Sequence, residues 1–198
     1  MKEDILEQVA EDWLHLAGYF TVHNVGFKPE KVHPDFESGQ DAVASDIDVL
    51  AVHPRRSGVE RVIAVSCKSW QSGFNADARL AELRGEKKNG KRATWRHVRE
   101  LWVPKWSKAF VDVIEERTGQ RQFTYRIAVT KLKGDTAAWA ADPTIAANLP
   151  GCDIGFVTFE EMWTDVIRPA EDGSTKPAPS EVGRLAQLLR ASGVLAGE

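Results

Sequence analysis

The sequence predicts an α/β fold, a mixed central β-sheet flanked by helices. Three observations predict it. An amphipathic helical segment opens the chain, three extended segments follow, and helical and extended segments alternate from there on. At 198 residues, with 42% hydrophobic and 28% charged side chains, the chain can bury one sizeable core without disulfides.

Residues 3–17 are predicted helical, because Ile5, Val9, Trp13 and Leu16 recur at helical spacing with Leu6 and Ala10 beside them. Gly18 ends that helix. "YFTVHNVGF" is crowded with aromatic and β-branched residues and reads as a strand. A polar loop with Pro29, Pro34 and Gly39 runs to about Ala44. "DIDVLAV" is the second strand, "HPRRSG" is turn chemistry, and "RVIAVSCKSW" is the third strand. A short helix is expected from Asn75 to Arg84, and a longer one from about Lys105 to Arg117 with Trp106, Phe110, Val113 and Ile114 on one side. "FTYRIAVTK" and "DIGFVTF" are further strands, with a helix over residues 135–147 between them and another from Glu160 to Ile167. The composition divides the chain into an α/β domain over residues 1–167, a linker over 168–179 and a C-terminal helix over 180–198. Ser180 would cap that last helix, with Val182, Leu185, Leu188 and Leu189 as its apolar stripe.

The net charge of -3 excludes a uniformly basic coat protein. Two cysteines, Cys67 and Cys152, give no disulfide framework and suggest a reducing, cytoplasmic setting. The acidic, amphipathic N-terminal segment does not read as a secretory leader, and no apolar run is long enough to suggest a membrane span.

The chemistry concentrates on the second and third strands. Side chains alternate along a strand. Asp46 and Asp48 are therefore expected on one face, and Ile47, Val49 and Ala51 on the other. Ser66 and Lys68 fall together in the next strand, with Cys67 on the opposite side as a small core residue. If the two strands form an antiparallel hairpin, two carboxylates, a hydroxyl and an ammonium share a face. Alone, an Asp-x-Asp is more often a solvated strand face. Clustered carboxylates repel, and a hard divalent cation relieves that penalty. Mg²⁺ or Mn²⁺ is the expected cofactor. Lys68 beside it could hold an attacking water or stabilise developing phosphate charge.

At these residues the sequence resembles the PD-(D/E)XK nuclease superfamily, which includes many restriction endonucleases and Holliday-junction resolvases. That family carries a helix bearing a Glu, then a hairpin bearing Asp and (Glu/Gln)-x-Lys. "SDIDVLAV" resembles the Asp strand with Asp48 as metal ligand, and "SCK" stands at the (Glu/Gln)-x-Lys position with Lys68 as the catalytic lysine. "LEQVAEDWLHLAGYFTV" is similar to the first helix, with Glu7 in register and Glu11 as the competing choice. Gln71 resembles a glutamine common in restriction-like members. The resemblance covers roughly the first 75 residues, and implies a restriction-endonuclease-like core and a catalytic set of Glu7, Asp48, Ser66, Lys68 and Gln71. The implied metal ligands are Asp48, Asp46 and Glu7. Ser66 departs from the pattern, since a hydroxyl is a weaker ligand for a hard cation than a carboxylate. Either Asp46 supplies the missing charge or the module binds without cleaving.

From Arg84 to Lys108 there are nine Lys or Arg and two Asp or Glu, interleaved with Trp95, Trp102 and Trp106. Lys87, Lys88, Lys91, Arg92, Arg96 and Arg99 are candidates for binding phosphates, and nucleic acid, above all DNA, is the expected partner. The tryptophans read better as core anchors, because Trp102 and Trp106 stand one helical turn apart. The expected function is metal-dependent hydrolysis of DNA by a restriction- or repair-type nuclease. The alternatives are an inactive nuclease-like module that binds nucleic acid or protein, and an interaction protein whose last helix docks on a partner or on a second copy as a homodimer.

Overall fold

The computed structural model describes residues 4–87, 94–171 and 181–194, with side chains of the second segment up to Arg168. In chain order the elements are α1 (Ile5–Leu16), β1 (Phe20–Phe27), α2 (Ser38–Asp41), β2 (Ser45–Val52), β3 (Val62–Lys68), β4 (Phe74–Asn75), α3 (Ala76–Leu83), α4 (Arg99–Trp102) and α5 (Pro104–Thr118). They continue with β5 (Thr124–Val129), β6 (Leu132–Lys133), α6 (Ala137–Ala140), α7 (Pro143–Asn148), β7 (Asp153–Thr158), α8 (Phe159–Glu171) and α9 (Glu181–Ala191).

The described residues form a five-stranded mixed sheet in the order β1-β2-β3-β5-β7. The first three strands are antiparallel neighbours, and β5 and β7 join parallel to β3 and to one another. The parallel step from β3 to β5 requires a crossover, which α3, α4 and α5 supply. The expected α/β class and the antiparallel β2–β3 pairing are therefore both found. Helices cover both faces, so each face has its own apolar layer. Leu50, Val62, Ala64, Tyr125 and Ile127 pack with Trp106, Phe110 and Trp139 on one side. Val49, Ala51, Ile63 and Val65 pack with Leu6, Val9, Leu14 and Met162 on the other. No helix among the described residues is long and apolar enough to cross a membrane.

Four expectations need correction. In α1 the buried stripe is Leu6, Val9, Ala10 and Leu14, while Ile5 and Leu16 are 59% and 46% exposed. The helix is rolled so that the larger run of apolar positions meets Val49 and Val65. Its ends agree with the sequence: Asp4 accepts from the Leu6 amide at 3.0 Å, and Gly18 follows in the left-handed region at φ +88°. The helix expected over 135–147 is two short ones, because Pro143 cannot continue α6 and starts α7 instead. Asp142 caps α7 through the Thr144 amide at 2.9 Å and pairs with Arg84 at 2.9 Å. In α9 the buried residues are Val182, Gly183 and Ala186, which allow close approach to α1 and α8. Leu185 and Leu188, expected inside, are exposed. Helix α8 continues past Ile167 to Glu171, into the segment read as linker. Ser180 lies outside the described residues.

Candidate active site

The local feature that builds the site is a change of face in β1 and β2. Val22 lies opposite Leu50 on one face, and His23 lies opposite Val49 on the other. Two residues on, Val25 and Ile47 have crossed to the layer that holds Leu50 and Ala64. Strict alternation would have kept Ile47 with Val49. The crossing occurs at Asn24 and Asp48, where the β1–β2 register is interrupted. Asn24 has φ +52°, and it is the one non-glycine with positive φ among the described residues. Asparagine tolerates that conformation better than most side chains.

Two consequences follow for the predicted residues. Asp46 alternates with Ile47, so it does not share a face with Ser66 as expected. It is exposed. Asp48 stands at the crossing, where the β2–β3 ladder also ends after Val49–Val65. Its Oδ2 accepts from the Cys67 amide at 2.5 Å. The carboxylate thus bridges the opening between the strands.

Lys68 and Ser66 share the face of Ala64. The Lys68 ammonium donates to Ser66 Oγ at 2.7 Å, and Ser66 is 6% exposed. Burial raises the Asp48 carboxyl above its ordinary range, the Cys67 amide, Lys68 and Ser66 oppose this, and the Asp46 charge adds to it. Glu7 is raised too, by burial first and then by the charges of Asp48 and Asp4. Glu7 and Lys68 therefore each act on Asp48 electrostatically. Of Glu7 and Glu11, it is Glu7 whose carboxyl feels the Asp48 charge. Glu11 is held on β1, accepting from Thr21 Oγ1 at 2.7 Å and meeting His23 Nε2 at 2.9 Å. Burial, with Asp48 and Glu7 nearby, pushes the Cys67 thiol far up. Such a thiol is no nucleophile, and it packs with the α1 layer as a core residue.

Asp48 and Glu7 repel one another across a partly buried gap, which a divalent cation would relieve. Two carboxylates plus waters suit Mg²⁺. Among the described residues, no three His, Cys, Asp or Glu side chains group as a cation cage. Gln71 is exposed in the turn after β3. The neighbouring Trp70 stacks with Phe74 at 5.7 Å and lies under the Arg79 guanidinium at 5.1 Å.

Of the basic stretch, Lys88, Lys91 and Arg92 lie outside the described residues, and Lys87 is exposed. Arg96 is exposed over Trp95 at 5.5 Å, while Arg99 is half-buried over Trp106 at 4.3 Å. Arg84, Lys105 and Lys108 pair with Asp142, Asp41 and Asp112. Trp106 is fully buried, and Trp95 and Trp102 pack against the same core. The tryptophans are anchors, as expected. His97 meets the edge of Trp70 at 5.2 Å, which brings the stretch beside the turn that follows Lys68.

Sequence reasoning missed a buried polar pair behind Ser66. Tyr125 is fully buried and donates its hydroxyl to Glu100 Oε1 at 2.5 Å; Glu100 is 5% exposed. Tyr125 reads in sequence as one more strand aromatic, and Glu100 as one of two acids in a basic run. Only the meeting of β5 with α4 reveals them. No protein-family model, no curated protein and no solved structure matches the chain, so the site is described by its own geometry.

Proposed function

We propose that the protein is a divalent-metal-dependent nuclease of the PD-(D/E)XK type that hydrolyses phosphodiester bonds in DNA. The observation that carries this reading is Asp48 at the open end of the β2–β3 ladder, with the charges of Lys68 and Glu7 each acting within its reach. A helix followed by three antiparallel strands, with the acid on the second and the lysine on the third, supports a restriction-endonuclease-like core.

In this reading Asp48 and Glu7 hold Mg²⁺ or Mn²⁺. The bound ion supplies Lewis-acid polarisation of the phosphoryl group and a more acidic water. Lys68, steered by Ser66, faces the scissile phosphate and stabilises charge as it develops. The exposed cations Lys87 and Arg96, with Lys88, Lys91 and Arg92, draw the phosphate backbone toward the site. The test is a cleavage assay on duplex, branched and single-stranded DNA with Mg²⁺ or Mn²⁺, beside Lys68→Ala. Cleavage that needs both the ion and Lys68 supports the proposal; none on any substrate sinks it.

A second reading is an inactive nuclease-like module that binds nucleic acid. Ser66 in place of a carboxylate favours it. It expects DNA binding that is indifferent to divalent ions and to Lys68→Ala.

A further inference from the structure

We infer that Lys131 and Lys133 hold backbone phosphates of the DNA beside Lys68, on the flank of β3 away from Asp48. That the ligand is DNA rests on the nuclease reading; the hydrogen bonds that place the two lysines do not.

The placement starts from β5, which runs parallel to β3 with Val129 opposite Lys68. Asp48 reaches β3 from β2, on its other side. The chain that leaves β5 therefore passes the turn that follows Lys68, and hydrogen bonds tie the two together. The Trp70 carbonyl closes that turn by accepting from the Gly73 amide at 2.9 Å, and it accepts from Thr130 Oγ1 as well. The Phe74 amide donates to the Lys131 carbonyl at 2.7 Å. Gly73 has φ +79°, and a Cβ there would stand 2.9 Å from the Lys131 Cβ, so only glycine lets the turn come this close. From this junction β4 and β6 pair in parallel, with Phe74 opposite Leu132 and Asn75 opposite Lys133. Leu132 packs against the core, while Lys131 and Lys133 alternate with it and are exposed. At the rise of a strand the two lysines stand about 6.6 Å apart along the chain.

The charge of this pair is left for a ligand. Arg84, Lys105, Lys108, Arg121 and Arg126 each meet a carboxylate of the chain. Among the described residues, Lys131 and Lys133 stand in no ion pair. The acids nearest to them in this small sheet serve the backbone instead. Asp77 Oδ1 accepts from the Asp135 amide at 2.9 Å, and Asp135 Oδ1 accepts from the Ala137 amide at 2.9 Å. Two like charges on one exposed face repel, and an anionic ligand relieves that repulsion. Backbone phosphates suit them, because lysine offers a point charge that releases counterions and reads no base. A lone surface lysine would only add to a diffuse field. Here the Trp70–Gly73 turn, Thr130 and Phe74 fix the backbone under the pair, so a strand held by it is held in register with Lys68. Lys131 and Lys133 supply cations on the β5 flank in addition to Lys87 and Arg96.

Salt dependence of duplex DNA binding decides the matter, measured on the full chain by fluorescence anisotropy without divalent ions, so that no strand is cut. Lys131→Gln and Lys133→Gln should each lower the log-log slope by about 0.9, and the double variant by about 1.8. Arg55→Gln is the control. Arg55 is exposed in the connection between β2 and β3, at the end of the sheet away from Lys68, and its loss should leave the slope unchanged. Both lysines are exposed, so the variants should melt with the parent. In Mg²⁺ the double variant should raise KM for duplex cleavage about tenfold, with kcat within about twofold of the parent, the mark of binding lost equally from ground and transition states. A slope unmoved by the double variant overturns the inference, as does an equal fall in Arg55→Gln or a parent that binds no duplex. If the parent cleaves while the slopes stay put, the nuclease reading stands and this contact falls. If the slopes fall as expected while the parent cleaves nothing, the contact stands and the nuclease reading falls.

Discussion

Replacing Asp41 with alanine should unfold the protein more readily than any other single change to a polar side chain in the loop before β2. Asp41 is fully buried, and its carboxylate takes three donors: the Lys105 ammonium at 2.7 Å, the Glu37 amide at 2.8 Å and the Trp106 indole at 2.9 Å. These bonds clamp the loop after β1 onto α5. Breaking a buried pair by removing one partner costs about 3–5 kcal/mol, because the other charge is left buried. The Lys105 side chain is 10% exposed and keeps the Asp35 carbonyl at 2.7 Å and Glu37 at 3.9 Å, so the loss belongs at the lower end, about 3 kcal/mol. For a chain of this length that is a fall in Tm of roughly 6–12 °C. Asp41→Leu combined with Lys105→Met should lose less than Asp41→Ala alone, since no charge remains inside. The pH dependence has a definite sign. Burial alone would raise the Asp41 carboxyl, but Lys105, the Glu37 amide and Trp106 together outweigh it and hold it below its usual range. Its contribution is thus full above the ordinary aspartate value, near 3.9, and is lost as pH falls through the lower folded value. Urea denaturation at several pH values measures both effects. A loss under about 1 kcal/mol at neutral pH would refute the clamp, as would a penalty that grows on acidification.

Other outcomes follow from the site. Lys68→Ala should lower cleavage by about a hundredfold or more while leaving Tm nearly unchanged, as read by single-turnover kinetics and calorimetry. Asp48→Asn should stabilise the metal-free protein at neutral pH, because the folded state raises that carboxyl and so disfavours its charge. This gain should vanish as pH falls into the ordinary carboxylate range, and added Mg²⁺ should raise the Tm of the parent but not of the variant. Replacing Lys87, Lys88, Lys91 and Arg92 together with glutamine should weaken DNA binding and flatten its salt dependence by about one log-log unit for each phosphate no longer neutralised. Fluorescence anisotropy across a salt series checks this, and an unchanged slope would assign these residues to a solvated loop.

Much of this architecture was legible before any coordinates. The alternation in "VIAVSCK", the helical spacing in α1 and α5, and the turn chemistry of "HPRRSG" are local properties, set by the backbone conformations of adjacent residues. They placed each strand of the main sheet and the antiparallel pairing that brings Asp48 toward Lys68. Tertiary structure decided what depends on distant neighbours. The same helical pattern allows α1 to bury Ile5 or Leu6, and packing over Val49 and Val65 chose Leu6. Glu7 and Glu11 lie on adjoining turns, and only the position of β1, with Thr21 and His23, occupies Glu11 and leaves Glu7 beside Asp48. The change of face at Asp48 is invisible in a period-2 pattern, because it arises jointly from two strands, with Asn24 in the left-handed region opposite the acid it re-aims. Tyr125 and Glu100 are 25 residues apart and carry no mark of their pairing. Their bond exists because a parallel crossover returns β5 beside β3 and drops α4 beneath it, and such long-range closure is set by the whole core rather than by any segment of the chain.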